Sequence, residues 1–370
     1  MSLISKFNKI GSINSSILTT SSLFADKEIV TTDVPMLNVA FSGSMDGGFK
    51  SGLTMFAGPS RHFKTLFGLI SMKAYLKKYP NSIALFYDSE FGTPKAYFTS
   101  LGINTDRVIH IPITDIEILT HDITKKINEI ELEDKIFIFI DSIGNLASKK
   151  EAQDALDGKS VADMTRAKQL KSLFRIVTPH LTIKDIPMFV VNHSYKTMEM
   201  YSKDVVSGGT GGMYSSDSVY IIGRQQEKNG KDLEGYNFII NVEKSRFVKE
   251  KSKIPITVTF EKGLSKWSGL LDVALETGHV EKPKGGWYSR VMVNTDTGIL
   301  VDESEQTLFR KLATNSKIFW EPIFAKTNFK SAVEKRYSVS LNELLQDTED
   351  DNDISDTIKT LETDENEKNN

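Results

Sequence analysis

The stretch Gly58-Pro59-Ser60-Arg61-His62-Phe63-Lys64-Thr65 (GPSRHFKT) decides the fold. It follows an apolar run, Leu53 to Ala57 (LTMFA), that reads as a buried strand. It opens a segment, Lys64 to Tyr79, in which Leu66, Leu69, Ile70, Lys73 and Leu76 keep helical step until Pro80-Asn81 stops it. Strand, tight loop and helix, with Lys-Thr at the helix start, form a cradle for phosphate groups. Backbone N–H groups of the loop and helix N-terminus surround the anion, the lysine adds a point charge, and the threonine offers a hydroxyl to Mg²⁺. The usual pattern, G-x-x-x-x-G-K-[ST], has a second glycine where this chain has Phe63. Phe63 is compatible with the same loop if the backbone dihedrals there suit an L-residue. The plain alternative is that Gly58-Pro59 marks an ordinary strand-to-helix turn.

Outward from this loop, from Asp33 on, short apolar strands alternate with longer segments of helical period. Ile83 to Tyr87, Ile136 to Ile140 (IFIFI) and Pro187 to Val191 read as further buried strands, and Ala162 to Val177 as a helix. Ser218 to Gly223, Tyr236 to Val242 and Ile254 to Phe260 are expected as strands, antiparallel at the sheet edge. The pattern predicts an α/β fold with a mostly parallel sheet covered by helices. Mixed helix and turn begin around Ser265, which suggests a small C-terminal subdomain. The polar first residues carry two short apolar clusters (Ile13, Ile17, Leu18 and Leu23, Phe24) and read as an arm. The expected organisation is an arm over 1–32, a core over 33–264, a subdomain over 265–345 and an acidic tail over 346–370.

Two carboxylates narrow the chemistry. In FYDSEFG, Phe86 to Gly92, Glu90 lies just past the second strand, at the sheet edge where ligands bind. A carboxylate there can orient and deprotonate water attacking a γ-phosphate. The IFIFI strand ends in Asp141-Ser142, where an Asp commonly serves Mg²⁺ through water. Each could instead be a charged residue capping a strand. Together with Lys64 they describe an NTPase site.

Composition sets the limits. With 39% hydrophobic residues, 370 residues suffice for one large core or two domains. The absence of cysteine excludes disulfides, cysteine-ligated zinc and thiol catalysis. No apolar run approaches a membrane span, and the N-terminus lacks the apolar core and cleavage site of a secretory signal, so a soluble intracellular protein with no membrane partner is expected. The net charge of −3 is unevenly placed: Asp347 to Asn370 holds ten Asp or Glu against two Lys, a local −8, which leaves +5 on the rest. A basic body with an acidic tail points to a polyanionic partner that the tail competes with, or to a tail that only aids solubility.

Several strings now converge. Glu90 one strand after the phosphate loop, then Asp141-Ser142, then Asn192-His193 closing another strand, follow the order of the RecA class. Asn-His, NLASKKE (Asn145 to Glu151), DMTRAKQLKSLFRIVTP (Asp163 to Pro179) and GWY (Gly286 to Tyr288) resemble the UvsX-type recombinases of tailed phages, which also carry Phe at position 63 of the loop. The resemblance spans roughly Asp33 to Leu345. It implies a RecA-like P-loop ATPase core with an N-terminal assembly arm, using ATP and Mg²⁺, with Gly58 to Thr65, Asp141 and Ser142 around the nucleotide. It implies that Tyr97 stacks on adenine, where a core tyrosine is the equal alternative. His193 becomes the sensor of the γ-phosphate.

In the same resemblance Asn145 to Ser160, with Lys149, Lys150 and Lys159, fits a first DNA loop. Ser194 to Gly212 (SYKTMEMYSKDVVSGGTGG) fits the second. There Lys196 and Lys203 would track phosphates, Tyr195, Tyr201 and Met198 would meet bases, and Gly208, Gly209, Gly211 and Gly212 would give mobility. Either stretch could be an ordinary surface loop. Lys244 and Arg246 (VEKSR) would reach the γ-phosphate held by a neighbouring subunit, as an arginine finger does in trans; a solvated basic patch is the bland reading. Expected partners are single-stranded and homologous duplex DNA, further copies in a helical filament, a single-strand-binding protein and a filament-loading mediator. The expected place is the cytoplasm of the infected bacterial host. Two rivals share parts of the pattern: a hexameric helicase on the same core, and a non-catalytic DNA-binding or mediator protein with a decayed nucleotide site, for which Phe63 is the support.

Overall fold

The computed structural model describes residues 3–8, 10, 15–21, 27–159, 164–197, 204–229, 232–302 and 307–339. The described residues through Ser338 form one compact unit. Helix α1 (Leu3–Asn8) leads to α2 (Pro35–Ser42), strand β1 (Gly52–Ala57), α3 (Lys64–Lys78) and β2 (Ile83–Asp88). Then come α4 (Lys95–Ser100), β3 (Val108–Pro112), α5 (Ile116–Glu129), β4 (Ile136–Asp141), α6 (Lys149–Leu156) and α7 (Thr165–Ile183). Strand β5 (Pro187–Asn192) is followed by a small ribbon, β6 (Ser194–Lys196) with β7 (Asp204–Val206), and by α8 (Thr210–Ser215). The long hairpin β8 (Ser218–Asn229) and β9 (Asp232–Lys244), with β10 (Lys253–Thr259) and β11 (Gly263–Leu264), completes a nine-stranded sheet.

The strand order is β11-β10-β9-β8-β1-β5-β4-β2-β3. From β8 to β3 every pairing is parallel, and β9 to β11 are antiparallel. The sequence explains the two faces. Successive strand side chains point to opposite sides. In IFIFI this sends Phe137 and Phe139 into one core and Ile138 and Ile140 into the other. The aromatic face also takes Phe56 and Phe189, beneath α2 and α3; the aliphatic face takes Met55 and Val190, beneath α5 and α7. Phe49, Phe137 and Phe189 pack with ring centroids 5.0 to 6.0 Å apart, edge-on or offset as the ring quadrupole favours. Helix α3 lies so close to this face that a Cβ at Gly68 would overlap the Phe139 ring.

The structure departs from the sequence reading in places that have physical causes. Strand β8 is not an antiparallel edge: it pairs parallel with β1 and antiparallel with β9, so it is interior. Helix α7 runs through Pro179 to Ile183 instead of ending at Val177. Pro179 has no N–H, but Arg175, whose carbonyl loses that bond, is exposed, while Phe174, Val177 and Leu181 stay buried and hold the helix down. The sequence reading passes over β3, an edge strand with mostly exposed or half-exposed residues.

Beyond β11 lie α9 (Leu270–Glu276) and a small sheet of β12 (Val280–Lys284), β13 (Trp287–Arg290) and Leu308–Arg310. Helices α10 (Lys317–Lys326) and α11 (Phe329–Tyr337) follow. Val280, Tyr288, Trp320 and Phe329 join the aromatic core of the large sheet. At the other end, Leu3, Ile4 and Phe7 of α1 are exposed. The expected acidic tail, 346–370, lies outside the described residues. Among the described residues no helix is long and apolar enough to cross a membrane.

Candidate functional site

The carboxyl ends of β1, β2, β4 and β5 meet at one edge of the sheet, and the chain's polar residues gather there. Gly58 to Phe63 link β1 to α3. Phe63 sits at the helix N-cap with φ 56° and ψ 20°, in the left-handed region. The loop therefore needs at this position the conformation that glycine adopts most readily. Phe63 adopts it with its ring 4.7 Å from that of Phe238 on β9. A left-handed residue costs about 1–2 kcal/mol, and an aromatic pair returns about 0.5–1.5 kcal/mol beyond its buried area. The sheet thus supports the side chain that replaces the glycine.

Lys64 is buried, and its ammonium donates to the Gly58 carbonyl at 2.9 Å and the Pro59 carbonyl at 2.8 Å. Burial lowers its pKa, against the pull of the Glu90 and Asp141 charges. Thr65 Oγ1 donates to Asp141 Oδ2 at 2.8 Å. Asp141 is almost fully buried and its other oxygen, Oδ1, has no protein partner. Burial pushes its carboxyl up to about 7, with the Thr65 hydrogen bond opposing and the Glu90 and Asp88 charges adding. A buried, half-satisfied carboxylate beside a threonine hydroxyl fits a hard, oxygen-loving cation. Among the described residues no group of three or more His, Cys, Asp or Glu could hold a metal. The pair Thr65 and Asp141 thus suits Mg²⁺ whose remaining ligands are phosphate and water, the way that ion is commonly held.

Glu90 faces the same crevice. Its Oε1 accepts from Ser142 Oγ at 2.7 Å and lies 3.3 Å from His193 Nε2. The His193 contact and then the Ser142 hydrogen bond hold its carboxyl below the usual range, against burial. The turn that carries Glu90 is fixed from below, because Asp88 Oδ1 accepts the N–H groups of Glu90 at 3.1 Å and Phe91 at 2.8 Å. Asp88 Oδ2 lies 3.2 Å from His110. Ser89 Oγ donates to the Ser142 carbonyl at 2.6 Å and ties the ends of β2 and β4 together; the Asp141–Ser142 peptide is cis. His193 is wedged against Gly144, where an added Cβ would overlap the imidazole.

Other expected site residues lie further out. Tyr97 is exposed on α4. Lys149 and Lys150 open α6, which is a helix with a full capping box between Ser148 and Glu151, not an irregular loop. Lys159 pairs with Asp157 at 2.8 Å. Tyr195 and Lys196 are exposed on β6, and Met198, Tyr201 and Lys203 lie outside the described residues. Gly208 to Gly212 pack onto α7: a Cβ at Gly208 would crowd Leu170, one at Gly211 Lys171, and one at Gly212 Met55 and Phe174. These glycines thus permit close approach of two helices, a role that composition did not suggest.

Lys244 does not touch its own phosphate loop. Its ammonium donates to the carbonyls of Met213, Tyr214 and Ser216 at 3.1, 3.0 and 2.6 Å, at the end of α8. Arg246 is largely exposed and pairs with Asp217 at 3.2 Å.

Asp88, Ser89, Asn192, Arg166 and Ser207 support this site, and sequence reasoning gave them no role of their own. Asp88 and Ser89 sit inside FYDSEFG, Asn192 beside His193, Arg166 inside DMTRAKQLKSLFRIVTP and Ser207 inside SYKTMEMYSKDVVSGGTGG, but most of their partners are backbone groups, which leave no pattern.

Comparison with known proteins agrees with this architecture. The family described as Bacteriophage T4, Recombination and repair protein, C-terminal domain, matches residues 267–333. The Recombination and repair protein of Enterobacteria phage T4 is 50% identical over 332 residues, 89% of this chain and 84% of the relative. Protein RecA of Mycoplasmopsis pulmonis is 25% identical over 289 residues, 76% of this chain and 79% of that protein. Protein RecA of Gloeobacter violaceus is 26% identical over 260 residues, 69% and 68% of the two chains. With half of its residues shared along nearly its whole length, the chain belongs to the family of the T4 recombination and repair protein, a UvsX-type branch of the RecA-like proteins.

Proposed function

We propose that this chain is an ATP-dependent DNA recombinase, which assembles on single-stranded DNA and exchanges it with a homologous duplex. The observation that carries the reading is the meeting of Lys64, Thr65, Asp141 and Glu90 at one sheet edge, with His193 bridging from Glu90 towards the second DNA segment. Backbone N–H groups of Gly58 to Thr65 and the start of α3 would bind the phosphates. Lys64 would leave the Gly58 and Pro59 carbonyls to meet them. Thr65 and Asp141 would hold Mg²⁺, which supplies neutralisation of the developing phosphate charge. Glu90, kept ionised by its partners, would take a proton from the attacking water, and His193 would report the loss of the γ-phosphate to the β6–β7 ribbon.

Lys149, Lys150, Lys159, Tyr195, Lys196, Met198, Tyr201, Lys203 and the glycines Gly208, Gly209, Gly211 and Gly212 would carry the DNA contacts, and Tyr97 the adenine. Lys244 and Arg246 would serve the nucleotide of a neighbouring subunit. Their separation from their own loop supports that role, and the exposed apolar residues of α1 support an arm that joins subunits. A single-strand-binding protein and a loading mediator would assist, in the cytoplasm of the infected host.

ATP turnover with and without single-stranded DNA tests the reading. Turnover stimulated by DNA, with helical filaments in electron micrographs, is the expected result. Closed rings would favour the helicase, and no turnover at all a decayed site.

A further inference from the structure

The nucleotide site connects to both DNA segments through two residues to which the sequence assigned no role, Arg166 and Ser207. Ser207 is the crossing point. Its N–H donates to the His193 carbonyl at 2.8 Å, and its own carbonyl accepts from Asn192 Nδ2 at 2.9 Å. The Asn192 side chain in turn accepts the His193 N–H at 2.8 Å. Two hydrogen bonds thus lock the end of β5, where His193 meets Glu90, to the residue that follows β7, and the third orients the Asn192 side chain that makes one of them. The Ser207 hydroxyl then faces Arg166 on α7, with Nη1 at 3.5 Å. Arg166 spends its other donors on the segment after β4: Nε to the Leu146 carbonyl at 2.8 Å, and Nη2 to those of Ile143 at 3.0 Å and Gly144 at 2.8 Å. That segment leads into α6 and its lysines, and Gly144 abuts the His193 ring.

We infer that Arg166 and Ser207 are positioning residues that couple the nucleotide state sensed at His193 to both DNA-binding segments at once. The inference rests on the recombinase reading and extends it to the first segment, which His193 does not reach by a hydrogen bond of its own. The physical argument lies in the unequal strengths. The three carbonyl bonds from Arg166 are short and charge-assisted, and they make the base of the first segment rigid. The bond to Ser207 is at the long limit, so a shift of a few tenths of an ångström at His193 makes or breaks it. A planar fork with five donors can hold two chain segments together in this way, and a lysine cannot.

Coupling is a free energy shared by two ligands, so it is measurable from either side. Fluorescent oligo(dT) is titrated against the full chain with ATPγS and with ADP, and the ratio of the two affinities is the coupling factor. ATPγS and ADP are then each titrated with and without oligo(dT), and the ratio of the two DNA-induced changes closes the same cycle. The reasoning expects Ser207→Ala and Arg166→Lys to lower the coupling factor by about fivefold or more, equally in both directions. DNA affinity with ADP and nucleotide affinity without DNA should stay within about twofold of the unmodified chain, because the bond between Arg166 and Ser207 touches neither ligand. Ser207→Thr, which restores the hydroxyl, should recover most of the factor. Should Arg166→Lys fold poorly, Ser207→Ala, which removes one oxygen, carries the test alone. An unchanged coupling factor in Ser207→Ala would overturn the inference. So would an equal loss of DNA affinity with both nucleotides in Arg166→Lys, since Arg166 would then be a plain DNA contact and not a coupling residue. An unmodified chain whose DNA affinity ignores the nucleotide would overturn the recombinase reading itself.

Discussion

Replacing Phe63 by glycine and, separately, by alanine distinguishes what its backbone and its ring contribute at the phosphate loop. Phe63 is 37% exposed, so roughly two thirds of its surface is buried, mainly on Phe238. Full burial of a Phe side chain is worth about 1.5–3 kcal/mol, so the fraction here contributes about 1–2; the ring pair adds about 0.5–1.5. Both substitutions forfeit most of that sum, about 1.5–3.5 kcal/mol. Alanine keeps a Cβ at φ 56° and so keeps the left-handed cost of about 1–2 kcal/mol. Glycine relieves it but gives back about 0.5–1 kcal/mol through the entropy of the unfolded chain. Glycine should therefore be the more stable of the two by up to about 1.5 kcal/mol, with about 0.75 at the centre of the range, the reverse of the order at a right-handed helical position. Urea unfolding of the nucleotide-free variants, side by side, reads the difference. Alanine clearly more stable than glycine would refute the left-handed assignment. ATP affinity in the glycine variant should stay close to that of the unmodified chain, because glycine is the residue most phosphate loops have there.

Three further outcomes follow from the same geometry. Glu90→Gln should retain ATP binding and slow turnover by at least about a hundredfold, the scale of a lost general base; near-normal turnover would remove Glu90 from the chemistry. Lys64→Ala and Lys244→Ala should each be inactive or nearly so, yet an equal mixture should recover DNA-stimulated turnover at roughly a quarter of interfaces, those in which one side keeps Lys64 and the other Lys244. Mixed filaments as inactive as either parent would sink the trans assignment. His279 is fully buried between Thr277 and Asn328, and burial lowers its pKa below 6.5. In the window between that lowered value and 6.5 the unfolded chain binds a proton that the folded chain refuses, so stability rises with pH. His279→Gln should flatten that part of the urea midpoint against pH, and parallel curves for the two proteins would contradict it.

Which residues would meet at the candidate site was largely legible in the sequence, and the long-range support around them was not. The phosphate loop could be read because its parts must be neighbours in the chain: strand end, loop, Lys64, Thr65. The alternation in IFIFI revealed a strand buried on both sides, and the structure adds that the two sides differ in kind, aromatic and aliphatic. The capping box Ser148–Glu151 was there to be read, but the lysines around it drew the eye to a loop. Pro179 argued for a helix end and lost to the buried side chains beside it. Arg166 and Ser207 lie inside strings that were read, but their roles were not legible, because Arg166 bonds mainly carbonyls, which any residue supplies, and Ser207 joins segments far apart in the chain. Lys244 was legible within VEKSR, but its three acceptors were not, because they are carbonyls of α8 and the residue after it.

The most direct measurement is strand exchange itself. Circular single-stranded DNA is incubated with the protein, Mg²⁺ and either ATP or ADP, and then with linear duplex that is homologous or unrelated. Joint molecules that form only with homologous duplex and only with ATP, and that vanish in Lys64→Ala, are the result the account predicts. ATP hydrolysis without joint molecules, or opening of the unrelated duplex as readily as the homologous one, would contradict it.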